Sequence, residues 1–457
     1  RVLIVGPNRL FLAYISNVLP SLGETAVYQT TVLGLAAGMQ KVRRDDDPAV
    51  ARIKGDLRMA EVLRRAVWSQ VKAAEAPLRA LVRGVSLDLQ PEDVNAALME
   101  AMRARSYREG RRLFHDLLGQ RILAEREVDV YALGLEAPEF LDAALNRSPL
   151  ARELRTLWPN ASHESIARRV LTSPSALRAA AEGVLSTDEQ LLLRQHSQRG
   201  LKELGWSTAD VPLVDECDAL VNGPPARFGH AVVDEAQDLS AMELRMIARR
   251  TRAASMTILG DLAQATAAGS QSSWDAVLDA LGRPPNAVLR ELTVGYRVPS
   301  EIMEFANRLL PVAAPGTRAS TSVRRSQDPP RLVRSSALLP AASEEARSLA
   351  ELWQTVGLIC PEALIGAAPE ALRRAGVDFG TWEQGLLEKP VILLPPLAAK
   401  GLEFDAVVVV EPALLMLEDK GPRRLYVALT RAVQHLSIVH DAPLPDVLHG
   451  AATEPVP

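Results

Sequence analysis

The strongest constraint on folding in this chain is a set of short runs with no polar interior: "RVLIV" at the start, and "HAVV", "VILLP" and "AVVVVEP" further on. A strand with one wet face alternates apolar and polar side chains, whereas a run that is apolar throughout buries both faces. Between these runs lie stretches with apolar residues at three- and four-residue intervals, the helical spacing. Short buried strands alternating with helices imply parallel sheets covered on both faces, an α/β fold. With 457 residues, the chain exceeds what one core organises, and two or three domains are expected.

The strand runs crowd the two ends. Residues 1–30 and 226–315 read as one α/β lobe, and residues 316–457 as a second. Residues 31–225 read as a helical insertion in the first lobe, rich in Ala, Leu, Arg and Glu. After the first strand, "NRLFLAYISNVLPSLG" has helical spacing and stops at Pro20 and Gly23. "GDLRMAEVLRRAVWSQVKAAEAPLRALVRG" and "EDVNAALMEAMRARSYREGRRLFHDLLGQRIL" also read as helices. Beyond "HAVVD" come a helix in "SAMELRMIARR", a strand in "SMTILGD", a strand ending at "LRELTV" and a helix from "PSEIMEFANRLL". "GTRASTSVRRSQDPPRL" reads as a loop.

Hydrophobic residues at 47% and charged residues at 24% are an ordinary globular balance. The net charge of −4 gives no general attraction for nucleic acid, so any DNA or RNA contact is local or the main partner is a protein. Cys217 and Cys360 match no ligand spacing and read as small reduced side chains of a cytoplasmic protein. No apolar stretch approaches the roughly 20 residues that span a bilayer, and no secretory leader is seen. The short acidic run "RRDDDP", residues 43–48, reads either as a nucleic-acid-mimicking tip or as a solvated turn, and the turn is the commoner outcome.

Chemistry is expected at the strand ends. In "HAVVDEAQDLS" a buried strand delivers Asp234 and Glu235 to its carboxyl end, where α/β sheets bind ligands. Asp234 can hold Mg²⁺ while Glu235 polarises a water. A strand running into a helix start, where carboxylates suit the dipole, explains the pair equally well. "MTILGDLAQAT" brings Asp261 and Gln264 to a second strand end, "LTVGYRVPSEIMEFA" brings Tyr296 and Arg297, and "LAAKGLEFDAVVVVEP" brings Lys400, Gly401 and Glu403. "RRLYVALTRAVQHLSIVH" puts Arg431 between a helix and a strand. An arginine at such a point can fork onto phosphate oxygens, although any one taken alone is more often a surface residue.

Taken in order, "VVDEAQD", "GDLAQAT", "LTVGYR", "KGLEFD" and "LYVALTRA", spread between residues 232 and 432, resemble the signature of superfamily 1 helicases of the UvrD/Rep type. The resemblance implies two RecA-like lobes of the P-loop NTPase type, with ATP and Mg²⁺ as cofactors. It assigns Mg²⁺ to Asp234, with Glu235 beside it as the base for hydrolysis. Gln264 would couple the γ-phosphate to the nucleic-acid side, and Arg297 and Arg431 would act as arginine fingers. Gly401 and Glu403 would face the nucleotide, and Gly6–Asn8 would touch the strand being tracked. Phosphoryl transfer rests on positioning and charge neutralisation, which such a set supplies.

The wording is most similar to the RNA-polymerase-associated, DNA-helicase-IV-like ATPases of the HelD type, in "RVLIVGPNRLFLAYISNVLPSLGE", "DDDPAVARIKGDLRMAEVLRRAVW" and "FGHAVVDEAQDLSAMELRMIARR". The stretch from Gly23 to Asp234 leaves room for a large insertion, and that from Arg297 to Lys400 is too short for the second-lobe insertion of a processive unwinder. The resemblance implies that bacterial RNA polymerase is the partner, displaced from nucleic acid by the helical insertion and an N-terminal coiled coil, with drug tolerance in some members. None of the 27 glycines is followed by lysine, so the phosphate-cradling G-x-x-x-x-G-K-[ST] motif is not in this sequence. The chain is read as a fragment that alone neither binds nor hydrolyses ATP appreciably. Two alternatives are a repair-type helicase unwinding duplex DNA and a non-enzymatic interaction module.

Overall fold

The computed structural model describes the chain apart from residues 9–11, 13–15, 17–26, 37–41, 43–44, 125–135, 195–204, 253, 326–327, 383–387 and 450–457. Most of the helix expected in "NRLFLAYISNVLPSLG", and Arg43 and Arg44 of the acidic run, lie outside the described residues. The chain forms two compact units. The first holds Arg1–Asp234, Leu239–Ile258 and Asp275–Pro284; the second holds Glu235–Asp238, Leu259–Trp274 and Pro285–Pro457.

In the first unit, β1 (Val2–Val5), β2 (Val27–Thr30), β5 (His230–Val233) and β6 (Met256–Ile258) form one sheet, with β3 (Leu78–Val82) and β4 (Val85–Leu89) set apart as a hairpin. The sheet order is β2-β1-β5-β6 and every pairing is parallel, with Val2 opposite both Val27 and His230. The parallel pairing expected of the apolar runs is present. The residues between β2 and β5 build a separate, mostly helical core around Trp158, which lies 5.7 Å from the Phe114 ring, 5.5 Å from Tyr107 and 6.1 Å from Trp68.

Two details of this insertion depart from the sequence reading. "APLRALVRG" is not helical but enters β3 and its turn. Arg83 and Gly84 both have positive φ, 51° and 87°, the backbone that a two-residue hairpin turn requires. Nor is "DDDP" a tip or a merely solvated turn. Asp47 caps the helix Pro48–Gly55 by accepting from the Ala49 amide at 2.9 Å. Asp46 and Asp210 flank the Lys54 ammonium at 2.7 Å each, with all three side chains fully buried. Losing one partner of such a cluster costs about 3–5 kcal/mol.

In the second unit, β7 (Val294–Gly295) and β8 (Thr321–Ser322) make a two-residue parallel pair. The strand expected at "LRELTV" is thus reduced to its end, and Val288, Leu292 and Tyr296 are exposed. The expected loop from Gly316 contains β8 and runs into β9 (Arg331–Arg334). With β10 (Val356–Ile359), β11 (Phe379–Thr381), β12 (Val391–Leu394), β13 (Phe404–Val410) and β14 (Ala432–His440), β9 forms a six-stranded parallel sheet in the order β11-β12-β10-β13-β14-β9. Ile359, Ile392, Leu394, Val407 and Val409 point into one core. Val356, Leu358, Val391, Leu393, Ala406 and Val408 point into the other. Both faces are covered, which is why these strands carry no polar alternation. Among the described residues, no helix is long and apolar enough to cross a membrane.

Candidate functional site

The strands of the second unit deliver side chains by a simple rule: a buried strand fixes its ends, and the residues just beyond are held while remaining reachable. Lys400, Gly401 and Glu403 stand immediately before β13. Arg431 stands between the helix Gly421–Leu429 and β14. Glu235–Asp238 and Leu259–Trp274 belong to the same unit, so most of the predicted residues can be placed against one another.

Arg431 is nearly wholly buried, at 8% exposure. Its guanidinium donates to Val427 O at 3.1 Å, Leu402 O at 3.4 Å, Thr430 Oγ1 at 3.3 Å and Gln264 Oε1 at 2.9 Å. All four acceptors are neutral, and it makes no ion pair among the described residues. Burial pushes the Arg431 guanidinium below its ordinary range, while Glu235, Glu403 and Asp261 act in the opposite sense from a distance. Gln264 ends a one-turn 3-10 helix, Leu262–Gln264, capped by Asp261. Its amide nitrogen donates to Asp261 Oδ2 at 2.8 Å. Gln264 is therefore clamped between an acid and a buried guanidinium.

Lys400 closes the other side. Its ammonium lies 3.6 Å from Glu235 Oε2, pairs with Asp238 and donates to Gln264 O. Glu235 also accepts from the Gln237 side chain, whose own oxygen accepts from the Asp261 amide at 2.9 Å. Asp238 Oδ1 accepts from the amides of Thr266 at 2.9 Å and Ala267 at 3.2 Å. Glu235 has a φ of 53°, a left-handed backbone that costs a non-glycine residue free energy and is commonest at functional sites. Gly401, at φ +76° and with open space where a Cβ would stand, makes the same turn without that strain.

Arg297 and Glu403 are brought together in an ion pair of their own, 61% and 41% exposed. An exposed pair of this kind holds by about 0–1 kcal/mol, so either group is released at little cost. Asp234 lies at the carboxyl end of β5 in the first unit, its amide donating to Val5 O at 3.1 Å. Among the described residues no group of three or more His, Cys, Asp or Glu is placed to hold a metal ion. The two carboxylates expected to carry one are Asp234 and Glu235.

Sequence reasoning missed two cations. Lys420 donates to Ala267 O and, at 2.6 Å, to Ser270 Oγ; Arg423 donates to Ala265 O at 3.0 Å and Ala313 O at 2.7 Å. With Lys400 on Gln264 O, three basic side chains grip the carbonyls of Gln264, Ala265 and Ala267, where the loop after Gln264 starts. Burial pushes Lys420 below its ordinary range, and neighbouring Arg423 adds to this. The phrase "DKGPRR" signals charge but not its target. Cys217 and Cys360 are buried free thiols. Burial pushes both well up, which makes them unreactive.

The donor set suits a phosphate chain. A buried arginine with only neutral acceptors, a lysine over a polarised carboxylate, and an arginine loosely held at the surface are the groups that neutralise charge in phosphoryl transfer. Comparison with protein families finds a match between residues 398–439 and the UvrD-like helicase C-terminal domain. No curated protein matches the chain. Among solved structures it is similar to the C-terminal domain of a possible DNA helicase from Lactobacillus plantarum WCFS1, at 25% identity over 34% of this chain and 92% of that one, TM-score 0.28. It is also similar to the helicase of PRRSV, at 17% identity over 48% of this chain and 36% of that one, TM-score 0.28. The segment that carries Lys400, Gly401, Glu403 and Arg431 is thus the part of the chain that matches the UvrD-like helicase C-terminal domain.

Proposed function

We propose that this chain is part of an ATP-dependent superfamily 1 motor that binds bacterial RNA polymerase and releases it from nucleic acid, hydrolysing ATP to ADP and phosphate. The observation that carries the motor reading is the Gln264–Arg431 contact at 2.9 Å, which joins two widely separated motif blocks around a buried guanidinium. When bound, ATP with Mg²⁺ supplies the phosphoryl bond that is cleaved. Arg431 and Arg297 would hold its terminal oxygens, Glu235 would accept the proton of the attacking water, and Asp234 and Glu235 are the carboxylates that would hold the metal. Glu403 and Gly401 would face the nucleotide, and Gln264 would report its presence through its contacts with Asp261 and Arg431.

The polymerase reading is supported by the wording of the motif blocks, by the insertion's size and by a net charge of −4, which suits a protein partner better than free DNA. Size-exclusion chromatography of the purified protein with bacterial RNA polymerase tests it, and co-elution is expected. Independent migration together with separation of forked DNA would move the protein to the repair-type reading and leave the motor intact. The 457-residue chain on its own is expected to bind ATP no tighter than about millimolar, because the glycine-lysine cradle for the phosphates is not in its sequence. Calorimetric titration showing micromolar affinity would refute that expectation.

A further inference from the structure

We infer that an arginine corner of the helical insertion, residues 103–112, binds the phosphate backbone of a nucleic acid. The net charge of −4 requires any such contact to be local. Within residues 102–112 stand Arg103, Arg105, Arg108, Arg111 and Arg112 against the single acid Glu109. The helix Pro91–Ala101 ends here and Tyr107–Ala124 begins.

The corner is rigid. A Cβ at Gly110 would stand 2.7 Å from Ala101 O, so the second helix starts hard against the end of the first. The Tyr107 hydroxyl donates to Pro159 O at 2.8 Å, and Arg111 Nε to Trp158 O at 3.1 Å. Arg111 is thereby spent on the fold. Arg103, Arg105, Arg108 and Arg112 are exposed and make no side-chain hydrogen bond or ion pair among the described residues. Several exposed arginines elsewhere hold an acid three or four residues away, as Arg64, Arg283, Arg347, Arg373 and Arg374 do, while Arg152 and Arg155 on one helix and Arg178 on another lack the clustering of this corner. Arg112 has Asp116 at that spacing and does not pair with it.

Four unpaired guanidinium groups on a fixed corner are preorganised for an anion. Arg108 and Arg112 stand one helical turn apart, about 6 Å along the axis, and a guanidinium forks onto phosphate oxygens. The only ring in the corner, Tyr107, is buried, so no base-stacking platform is offered. The contact reads the backbone and not the sequence.

Fluorescence anisotropy with a labelled single-stranded oligonucleotide, without ATP, tests this on the 457-residue chain. Because no nucleotide is needed, failure here leaves the motor reading untouched. Binding is expected to weaken linearly in log–log form as salt rises from 50 to 200 mM. The R103Q/R105Q/R108Q/R112Q variant, with unchanged circular dichroism, is expected to bind at least ~10-fold more weakly, its salt slope falling by roughly 3, about 0.7 for each phosphate no longer neutralised. The matching four-lysine variant keeps the charges and hence most of the slope. A wild-type slope near zero, or a slope unchanged by the glutamines, overturns the proposal. So does displacement of the oligonucleotide by poly-glutamate at equal charge concentration, which would assign the corner to an acidic protein. Equal affinity for phosphatidylserine vesicles or for inorganic phosphate overturns it as well.

Discussion

A guanidinium withdrawn from water with no carboxylate beside it raises the free energy of the folded state, and Arg431 is held in that condition by four neutral acceptors. Glu235, with its left-handed backbone, adds a second local cost in the same unit. Sites that keep such costs gain stability when the offending group is removed and lose function with it. Arg431→Met, similar in length and without charge, is therefore expected to leave the unfolding free energy within about 1 kcal/mol of the parent or to raise it. Urea denaturation of the two chains checks this. A loss above roughly 3 kcal/mol, the size seen when a structural buried pair is broken, would make Arg431 a prop of the fold and not a group kept for a ligand.

Among the elements, β10 and β13 show how closely the second sheet is packed. A Cβ on Gly357 would lie 2.6 Å from the Phe404 ring, and Phe404 is itself 5% exposed, with little room to retreat. Gly357→Ala is expected to cost about 1–3 kcal/mol by overpacking. Gly357→Ala combined with Phe404→Leu should recover part of that, since contacting sites are not additive; thermal denaturation of the three variants measures both. These strands were legible in the sequence because both faces are apolar and the runs admit no other reading. The hairpin β3–β4 was not. Leu81 is 70% exposed, so "LRALV" places leucines three apart and mimics a helix, although its burial alternates as a strand. The site divides in the same way. Glu235, Gln264 and Arg431 were legible because side-chain chemistry confines them to particular residue types. Lys420 and Arg423 act on carbonyl oxygens, which every residue offers, and Lys420 besides only on the Ser270 hydroxyl, so no charged partner residue could have announced them.

At the scale of the whole chain, the two units are interleaved in sequence, the chain passing between them after Asp234, Asp238, Ile258, Trp274 and Pro284. The second unit is thus not residues 285–457 alone. It includes Glu235–Asp238 and Leu259–Trp274, whose acids and carbonyls receive Lys400, Lys420 and Arg423. Expressed alone, residues 285–457 would leave those three cations without these acceptors and Arg431 without Gln264. The excised piece is expected to melt lower than the corresponding transition of the 457-residue chain, and to be cut faster by protease near Lys400 and Lys420. Equal melting and equal resistance would show that the short segments contribute nothing to the unit.

The grip on the loop after Gln264 has an evolutionary reading. Three long basic side chains clasp it by peptide oxygens, so apart from the Ser270 hydroxyl that Lys420 also holds, the clasp does not depend on the spelling of "ATAAGS". Point changes along that stretch can accumulate without loosening it, provided they respect the buried Ala265 and Thr266 and the Ser270 hydroxyl. Inserting or deleting one residue would instead shift each oxygen away from its cation. Related chains should therefore drift in letters here while holding the loop's length constant.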